Sequence, residues 1–426
     1  MINTATVDGG SVPARDMEDP HQLLVPKLVV ATGFLVMAVS FMVNAMDRQV
    51  FAPLLPTIRT EYGFSLASGG LLATGFTMGM ALAGLPAGYL MDRFSRKTVL
   101  LVSIVIYSVG TLITPLASGW GDMLAYRILS GFGEGMQAAA LFAAVGAYFN
   151  HRRGLALGAI TVAFGGGVFL GPLLGVRLAT TYGTWRAPFV VFGLCGLVIA
   201  LIAAFTVSRR MTERAVEKTI STGNFDYMPA SPYNRNTFAL AISSAVGGVV
   251  LYGFLGLYPT FLVKQLHLTT AQSALALSFV GFGGAAGLLG GWLGDRVDQR
   301  KLLIGSHLAL SLIGILIYQV QGTLGWQCVF AFLMGVFGTG FMFPNSNSAI
   351  QRAVRPNQVG RAAGLFVTSY YGTAAFSGLL FAALVASFGW RQAGLWQVTV
   401  LPLVAVLALV FVRTAQFNNA ARQPMH

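Results

Sequence analysis

About twelve stretches of this 426-residue chain are each predominantly apolar over roughly 20 residues or more, the length at which a helix crosses the hydrocarbon core of a bilayer. They fall near residues 28–56, 65–90, 98–117, 122–148, 155–179, 187–207, 237–263, 271–293, 302–320, 325–347, 362–386 and 392–412. This pattern leaves few folds open. In lipid no water satisfies the amides, so a spanning segment closes its hydrogen bonds within a helix or around a barrel. The runs are too long for barrel strands. The expected fold is therefore all-α and integral to the membrane, with twelve transmembrane helices in two pseudo-symmetric six-helix halves.

Composition agrees. Charged residues make up 10% of the chain, against about 25% in a soluble domain. Hydrophobic residues make up 55%, and the mean hydropathy is +0.70. The 52 glycines suit helices that pack closely in lipid. Cys195 and Cys328 both lie in apolar runs and form neither a disulfide framework nor a metal site. No His/Cys cluster has metal spacing, no phosphate-cradling Gly-x-x-x-x-Gly-Lys-Ser/Thr is present, and no Ser-His-Asp arrangement stands out. An enzyme and an ATP-driven pump are both disfavoured, and no cofactor is expected. The segment up to Pro26 is polar and lacks the apolar core of a signal peptide, so none is expected.

The formal net charge of +13 raises nucleic acid as a partner, but no basic cluster sits in a soluble domain. The placement of the cations explains the excess. If both termini lie in the cytoplasm, cytoplasmic loops hold about 20 of the 27 Lys and Arg, and the opposite loops hold about five. The expected partners are a lipid bilayer, protons and a small molecule. A monomer in the inner membrane, with both termini cytoplasmic, is expected.

The chain also repeats itself. Gly88-Tyr-Leu-Met-Asp92-Arg93 recurs as Gly291-Trp-Leu-Gly-Asp295-Arg296, Thr184-Trp185-Arg186 echoes Gly389-Trp390-Arg391, and Gly154-Leu-Ala-Leu-Gly158 loosely matches Gly360-Arg-Ala-Ala-Gly364. The offsets are all about 205 residues, near half the length. The implied organisation is a tail at 1–26, a six-helix bundle at 27–207, a cytoplasmic linker at 208–236, a second bundle at 237–413 and a tail at 414–426.

The segment Gly88-Tyr-Leu90-Met-Asp92-Arg93-Phe-Ser95-Arg96-Lys97-Thr-Val-Leu100 resembles the signature between helices 2 and 3 of the major facilitator superfamily, Gly-x-Leu-x-Asp-Arg-x-Gly-Arg-Lys-x-x-Leu. Ser95 stands where that family prefers glycine, and the second copy has one extra residue before Arg300-Lys301. The resemblance implies a secondary transporter working by alternating access. Physically, an aspartate at a helix end accepts hydrogen bonds from a neighbouring helix N-terminus and from arginine. Gly88, Asp92, Arg93, Arg96 and Lys97, with Asp295 and Arg296, would then latch the halves together on the cytoplasmic side, unless Asp92 and Arg93 merely anchor a helix end.

Ionisable residues inside spans are costly and mark function by default. Four stand out, all in the first half: Asp47 and Arg48 in the first span, Arg127 and Glu134 in the fourth. Arg127 and Glu134 are two helical turns apart and share a face, Asn44 precedes Arg48 by one turn, and Gln137 follows Glu134 by three residues. These charges admit a structural reading, with Asp47 paired to Arg127 or Glu134 to Arg48. Against it, apolar residues serve pure stability as well as a buried pair does. The functional reading is proton coupling: desolvation favours the neutral form of a carboxylate, a nearby arginine the charged form, and an arginine that turns to a substrate anion links the two.

The same constellation, Asp47-Arg48 with Arg127-Ile-Leu-Ser-Gly-Phe-Gly-Glu134-Gly, resembles the anion:cation symporter branch of that superfamily, and spinster-type lysolipid transporters share a similar arrangement. The resemblance to the symporters implies that Arg48 and Arg127 hold a substrate carboxylate and that Asp47 and Glu134 carry the proton. Asn44, Gln137, Asn345 and Tyr371 are further candidates for orienting the substrate, beside Tyr252, Tyr258, Asn347 and Tyr370. A different signal comes from Gly158, Gly167, Gly171, Pro172 and Gly175 in the fifth span, which resemble the antiporter motif of drug:proton exporters, with Val176 at its usual last glycine. Their physical role is tight helix packing and a bend.

The expected function is proton-coupled secondary transport of a small organic anion, a carboxylate in chemical class, driven by the proton gradient. The alternative is a proton antiporter exporting an amphiphilic or drug-like compound. The topology is tested with a single cysteine at Thr222, in a protein whose Cys195 and Cys328 are serine. A membrane-impermeant maleimide should label it only from the cytoplasmic face, and labelling from outside would overturn the assignment.

Overall fold

The loops that interrupt the apolar runs carry capping side chains, and the helices begin where those residues stand. Ser65, Ser95, Thr269 and Asp298 each accept a backbone N–H three residues on, and Asn234 accepts two, which satisfies donors left open in a helix's first turn. Ser95 thus has a specific job at the place where the family signature has glycine: it starts the third helix. At the other end, Gly63 and Gly183 adopt left-handed φ of 68° and 67° and stop the first and fifth helices.

The computed structural model describes residues 26–214, 225–320 and 322–418. Most of the expected tail at 1–26, the middle of the linker with Thr222, and the last part of the tail at 414–426 lie outside the described residues. The first half comprises α1 (Lys27–Tyr62), α2 (Leu66–Arg93), α3 (Arg96–Ile113), α4 (Trp120–Tyr148), α5 (Arg153–Tyr182) and α6 (Arg186–Thr206). The second begins with α7 (Arg235–Gln265). Its next span is broken between α8 (Thr270–Gly284) and α9 (Gly287–Arg296), and α10 (Gln299–Gln319) follows. Then α11 (Leu324–Met334) runs through a π-helical segment, Gly335–Met342, into α12 (Phe343–Arg352). Last come α13 (Val359–Ala393), the π-helical Gly394–Val400 and α14 (Leu401–Val410).

Eleven helical stretches of the described residues are long and apolar enough to cross a membrane, the last running 55 residues from Pro356 to Val410. A helix of that length extends about 80 Å, more than twice a hydrocarbon core of about 30 Å. It is two spans. Gly389, at φ 79° and ψ 170°, breaks it near the expected boundary, so twelve crossings result.

Within the first half α4 packs against α2 and α3, and α1 against α5 and α6; within the second, α7 packs against α13 and α14, and α8 against α11. The halves meet chiefly along α2 with α13 and along α5 with α9. Glycine makes these approaches possible. A Cβ on Gly158 would strike the Gly287 carbonyl, one on Gly154 the Gly291 carbonyl, and one on Gly364 the Gly84 carbonyl. Further along α5, Gly167 and Gly171 lie against the carbonyls of Met42 and Met46 on α1, and Gly175 lies against Val50. One helix therefore rides on its own half with one end and on the opposite half with the other. Pro172 is accommodated inside a continuous α5.

The α2–α13 contact generates a test. A Cβ built on Gly360 lies 3.1 Å from the Met91 Cβ, just under the usual span of a disulfide. Met91→Cys/Gly360→Cys, with Cys195 and Cys328 replaced by serine, should lose nearly all maleimide labelling on mild oxidation and regain it on reduction. Thiols that stay reactive under oxidant would show that these helices do not meet.

Candidate functional site

Helix α4 is the most enclosed of the spans because glycines let its neighbours close on it. A Cβ on Gly131 or Gly135 would meet the carbonyl of Phe76 or Met80 on α2, and one on Gly133 would meet the backbone of Tyr107 on α3. Its buried polar side chains turn mainly toward α1, with Ser130 also meeting Thr111 on α3 at 3.1 Å. On α1, Ser40, Asn44 and Arg48 recur every fourth residue and form one stripe. The two stripes face each other. Asp47, Glu134 and Gln137 are fully buried, Arg127 is 1% exposed and Arg48 is 9% exposed.

Arg48 is the hub. Its Nε donates to Glu134 Oε2 at 3.0 Å, one terminal nitrogen donates to Asn44 Oδ1 at 3.0 Å, and the other donates to the Tyr371 hydroxyl at 3.2 Å. Asn44 in turn donates to Gln137 Oε1 at 2.8 Å, and Gln137 to Ser40 Oγ at 3.1 Å. Tyr371 belongs to α13, so this one side chain ties a carboxylate of the first half to the second half. Five of the predicted residues, Asn44, Arg48, Glu134, Gln137 and Tyr371, are brought together here. Two guanidinium N–H groups of the five remain uncommitted after these bonds.

Asp47 sits one residue away on α1. Its Oδ2 accepts from Thr111 Oγ1 at 2.6 Å and Ser130 Oγ at 3.3 Å. Its carboxyl group lies close enough to that of Glu134 for the two to interact, and each acid keeps one oxygen with no donor on it. Breaking the Arg48–Glu134 pair would leave a buried charge uncompensated, at about 3–5 kcal/mol.

Arg127 differs from Arg48. No carboxylate lies within ion-pair distance of it among the described residues. Its guanidinium is held between aromatic faces, 4.5 Å from the Phe51 centroid and 4.2 Å from that of Phe76, and its Nε and one terminal nitrogen have no hydrogen-bond partner. Its charge acts on Asp47 and Glu134 at a distance. The structure thus separates two arginines that the sequence reading assigned the same task.

The remaining substrate candidates lie elsewhere or line the hub. Asn345 is not in the cluster: its amide donates to the Gly290 and Phe341 carbonyls at 2.9 and 2.8 Å, where α12 packs on α9. Asn347 accepts from Gln351, and Tyr258 donates to Gln327. Tyr252 and Tyr370 pack edge-on around Tyr371.

The signature residues form two unequal contacts between halves. Asp295 accepts from the first amides of α5, Gly154 N at 2.8 Å and Leu155 N at 2.9 Å, and from Arg352 at 2.5 Å. Its counterpart Asp92 accepts from the Arg361 side chain at 2.6 Å, with Gly88 lying against the Arg361 backbone. Arg96 holds the segment after α6, through its terminal nitrogen to Thr212 O at 2.8 Å and its backbone to Glu213 at 2.6 Å, and Lys97 donates to Ala204 O at 2.6 Å. Arg93 is exposed, and Arg296 stacks 4.0 Å from the Trp292 ring centroid, so neither joins the contact between halves. Arg361 is the partner the sequence reading missed. The repeat held the signal: Gly360 matches Gly154, the start of the helix that Asp295 grips, so Asp92 should grip the start of α13.

Comparison with known proteins agrees with this architecture. The chain is 26% identical over 387 residues to the 4-hydroxybenzoate transporter PcaK of Pseudomonas putida, covering 82% of this chain and 84% of that protein. It is 27% identical over 354 residues to the uncharacterized MFS-type transporter YceJ of Bacillus subtilis (strain 168), covering 79% of this chain and 85% of that one. The crystal structure of the human organic anion transporter MFSD10 (TETRAN) superposes with a TM-score of 0.72 at 17% identity, over 92% of this chain and 100% of that one, a likeness of fold. The profile of the Major Facilitator Superfamily matches residues 37–378 and 284–424, and with twelve apolar crossings in two packed halves the chain belongs to that superfamily of transporters.

Proposed function

We propose that the chain carries a small organic anion, a carboxylate, together with a proton across the inner membrane. The observation that carries this reading is Arg48, shared between Glu134 of the first half and Tyr371 of the second. Formally, Asp47, Glu134, Arg48 and Arg127 sum to zero. A proton on the carboxyl pair makes the site net positive, and a bound carboxylate restores neutrality. In a low-dielectric interior the neutral sums are favoured, so proton and anion bind together or not at all. Protonation also frees Arg48 from Glu134, and its fork then matches a carboxylate in two parallel hydrogen bonds.

The halves are joined at the end that bears Asp92 and Asp295. On the proposed topology that end is cytoplasmic, and opening it requires those contacts to break while the halves rock about the central site. The relative that carries 4-hydroxybenzoate fits an anion. The glycine series of α5, which resembled an exporter motif, is accounted for by packing on α1 and α9, so it adds nothing in favour of export.

Two variants test the reading, with 4-hydroxybenzoate as the first probe among small carboxylates. Arg48→Lys keeps the charge but loses the fork. A hydrogen bond to a charged group is worth about 1.5–3 kcal/mol, so carboxylate affinity should fall roughly ten- to a hundred-fold in a protein of unchanged melting temperature. Intact affinity would end the clamp assignment. Glu134→Gln, reconstituted in proteoliposomes, should lose proton-driven accumulation while still exchanging substrate for substrate, because exchange needs no net proton movement. Equal loss of both would assign Glu134 to structure instead.

A further inference from the structure

The surroundings of Arg48 are rings. Its guanidinium carbon lies 5.1 Å from the centroid of Phe164 on α5 and 5.3 Å from that of Tyr371 on α13. Tyr252 on α7 packs edge-on against Tyr370 and Tyr371, with centroids 6.1 Å apart in both cases. Its hydroxyl lies close enough to Arg48 to interact with it electrostatically. Phe164 comes from the first half and the tyrosines from the second, so aromatic faces flank the cation from both sides of the junction. Phe164 and Tyr252 remain half-buried, and a Cβ added at Gly165 would meet no atom within 4 Å. The backbone next to Phe164 therefore has open space on the side that Gly165 faces.

The amides near Arg48 are already spent, and besides two N–H of Arg48 itself the groups left open are one oxygen on each acid and two nitrogens of Arg127. Asn44 bonds Gln137 and Arg48, and Gln137 bonds Ser40. A sugar acid bears a hydroxyl on nearly every carbon, and each one buried without a partner costs affinity. Its demands are poorly met here. An aromatic acid has the opposite needs: one fork for the carboxylate, and ring faces and edges against which a flat apolar body packs in offset or edge-on geometry.

We infer that the substrate is a monocarboxylate bearing an aromatic ring, with its carboxylate on Arg48 and its ring between Phe164 and the Tyr252–Tyr371 pair. This rests on the reading of Arg48 as a carboxylate clamp. The rings also make the site sense closure. Phe164 and Tyr252 sit on different halves, so the ring of the substrate is gripped from both sides only while the halves stand as they do here.

The experiment is equilibrium binding to the purified full chain, with benzoate, cyclohexanecarboxylate and glucuronate as probes at one pH. Benzoate should bind at least about ten-fold more tightly than either of the others. Phe164→Leu and Tyr252→Leu should each lower the benzoate-to-cyclohexanecarboxylate affinity ratio about five- to ten-fold, since leucine keeps an apolar wall but removes the ring face. The wild-type ranking needs no variant to fold. Glucuronate or cyclohexanecarboxylate binding as tightly as benzoate, with all three weakened by Arg48→Lys, would overturn the aromatic assignment and leave the clamp standing. Carboxylate binding indifferent to Arg48→Lys, or no binding of any of the three, would overturn the clamp and the inference with it.

Discussion

The arrangement of this chain depends on the cost of holding charge away from water. Four ionisable side chains, Asp47, Arg48, Arg127 and Glu134, are buried deep within the spans of the first half, and lipid offers them nothing. Arg48 is the point at which that cost is met in common: it pairs with Glu134, bonds Asn44, and reaches Tyr371 across the junction. Because its partners belong to both halves, any change in its allegiance is also a change in how the halves hold together. An ion pair wholly inside one half would have no such consequence.

Packing makes this sharing possible. Glycines along α4 bring α2 and α3 into backbone contact with it, and glycines along α5 set it on α1 at one end and on α9 at the other. The interior is dense, so a small local event is passed on as motion of rigid bodies. The contacts at the Asp92 and Asp295 end are of two kinds. Asp295 holds backbone amides of a helix start as well as an arginine, whereas Asp92 holds a side chain alone. The duplicated sequence has therefore produced two junctions with different chemistry.

The two buried arginines show how identity and role part company. Arg48 has carboxylate, amide and hydroxyl partners. Arg127 has the faces of Phe51 and Phe76, a setting in which attraction to the rings replaces hydrogen bonds and is worth about 2 kcal/mol when water is excluded. One is placed to exchange partners. The other supplies a fixed positive field beside Asp47 and Glu134.

The sequence by itself determined the class of fold, the number of crossings, the duplication and the short list of buried charges, because each follows from local length, period and cost in lipid. The spacing of Ser40, Asn44 and Arg48 on one helix and of Glu134 and Gln137 on another was equally legible, since helical geometry alone sets which residues share a face. Only the tertiary structure decided which charges meet. It paired Arg48 rather than Arg127 with Glu134, took Asn345 out of the site to pack α12 on α9, and put Arg361 on Asp92. It also gathered Phe164, Tyr252 and Tyr371 around one cation. Those choices depend on the rotation and depth at which helices from distant parts of the chain pack, and close glycine contacts between backbones, not the period of any one helix, set both.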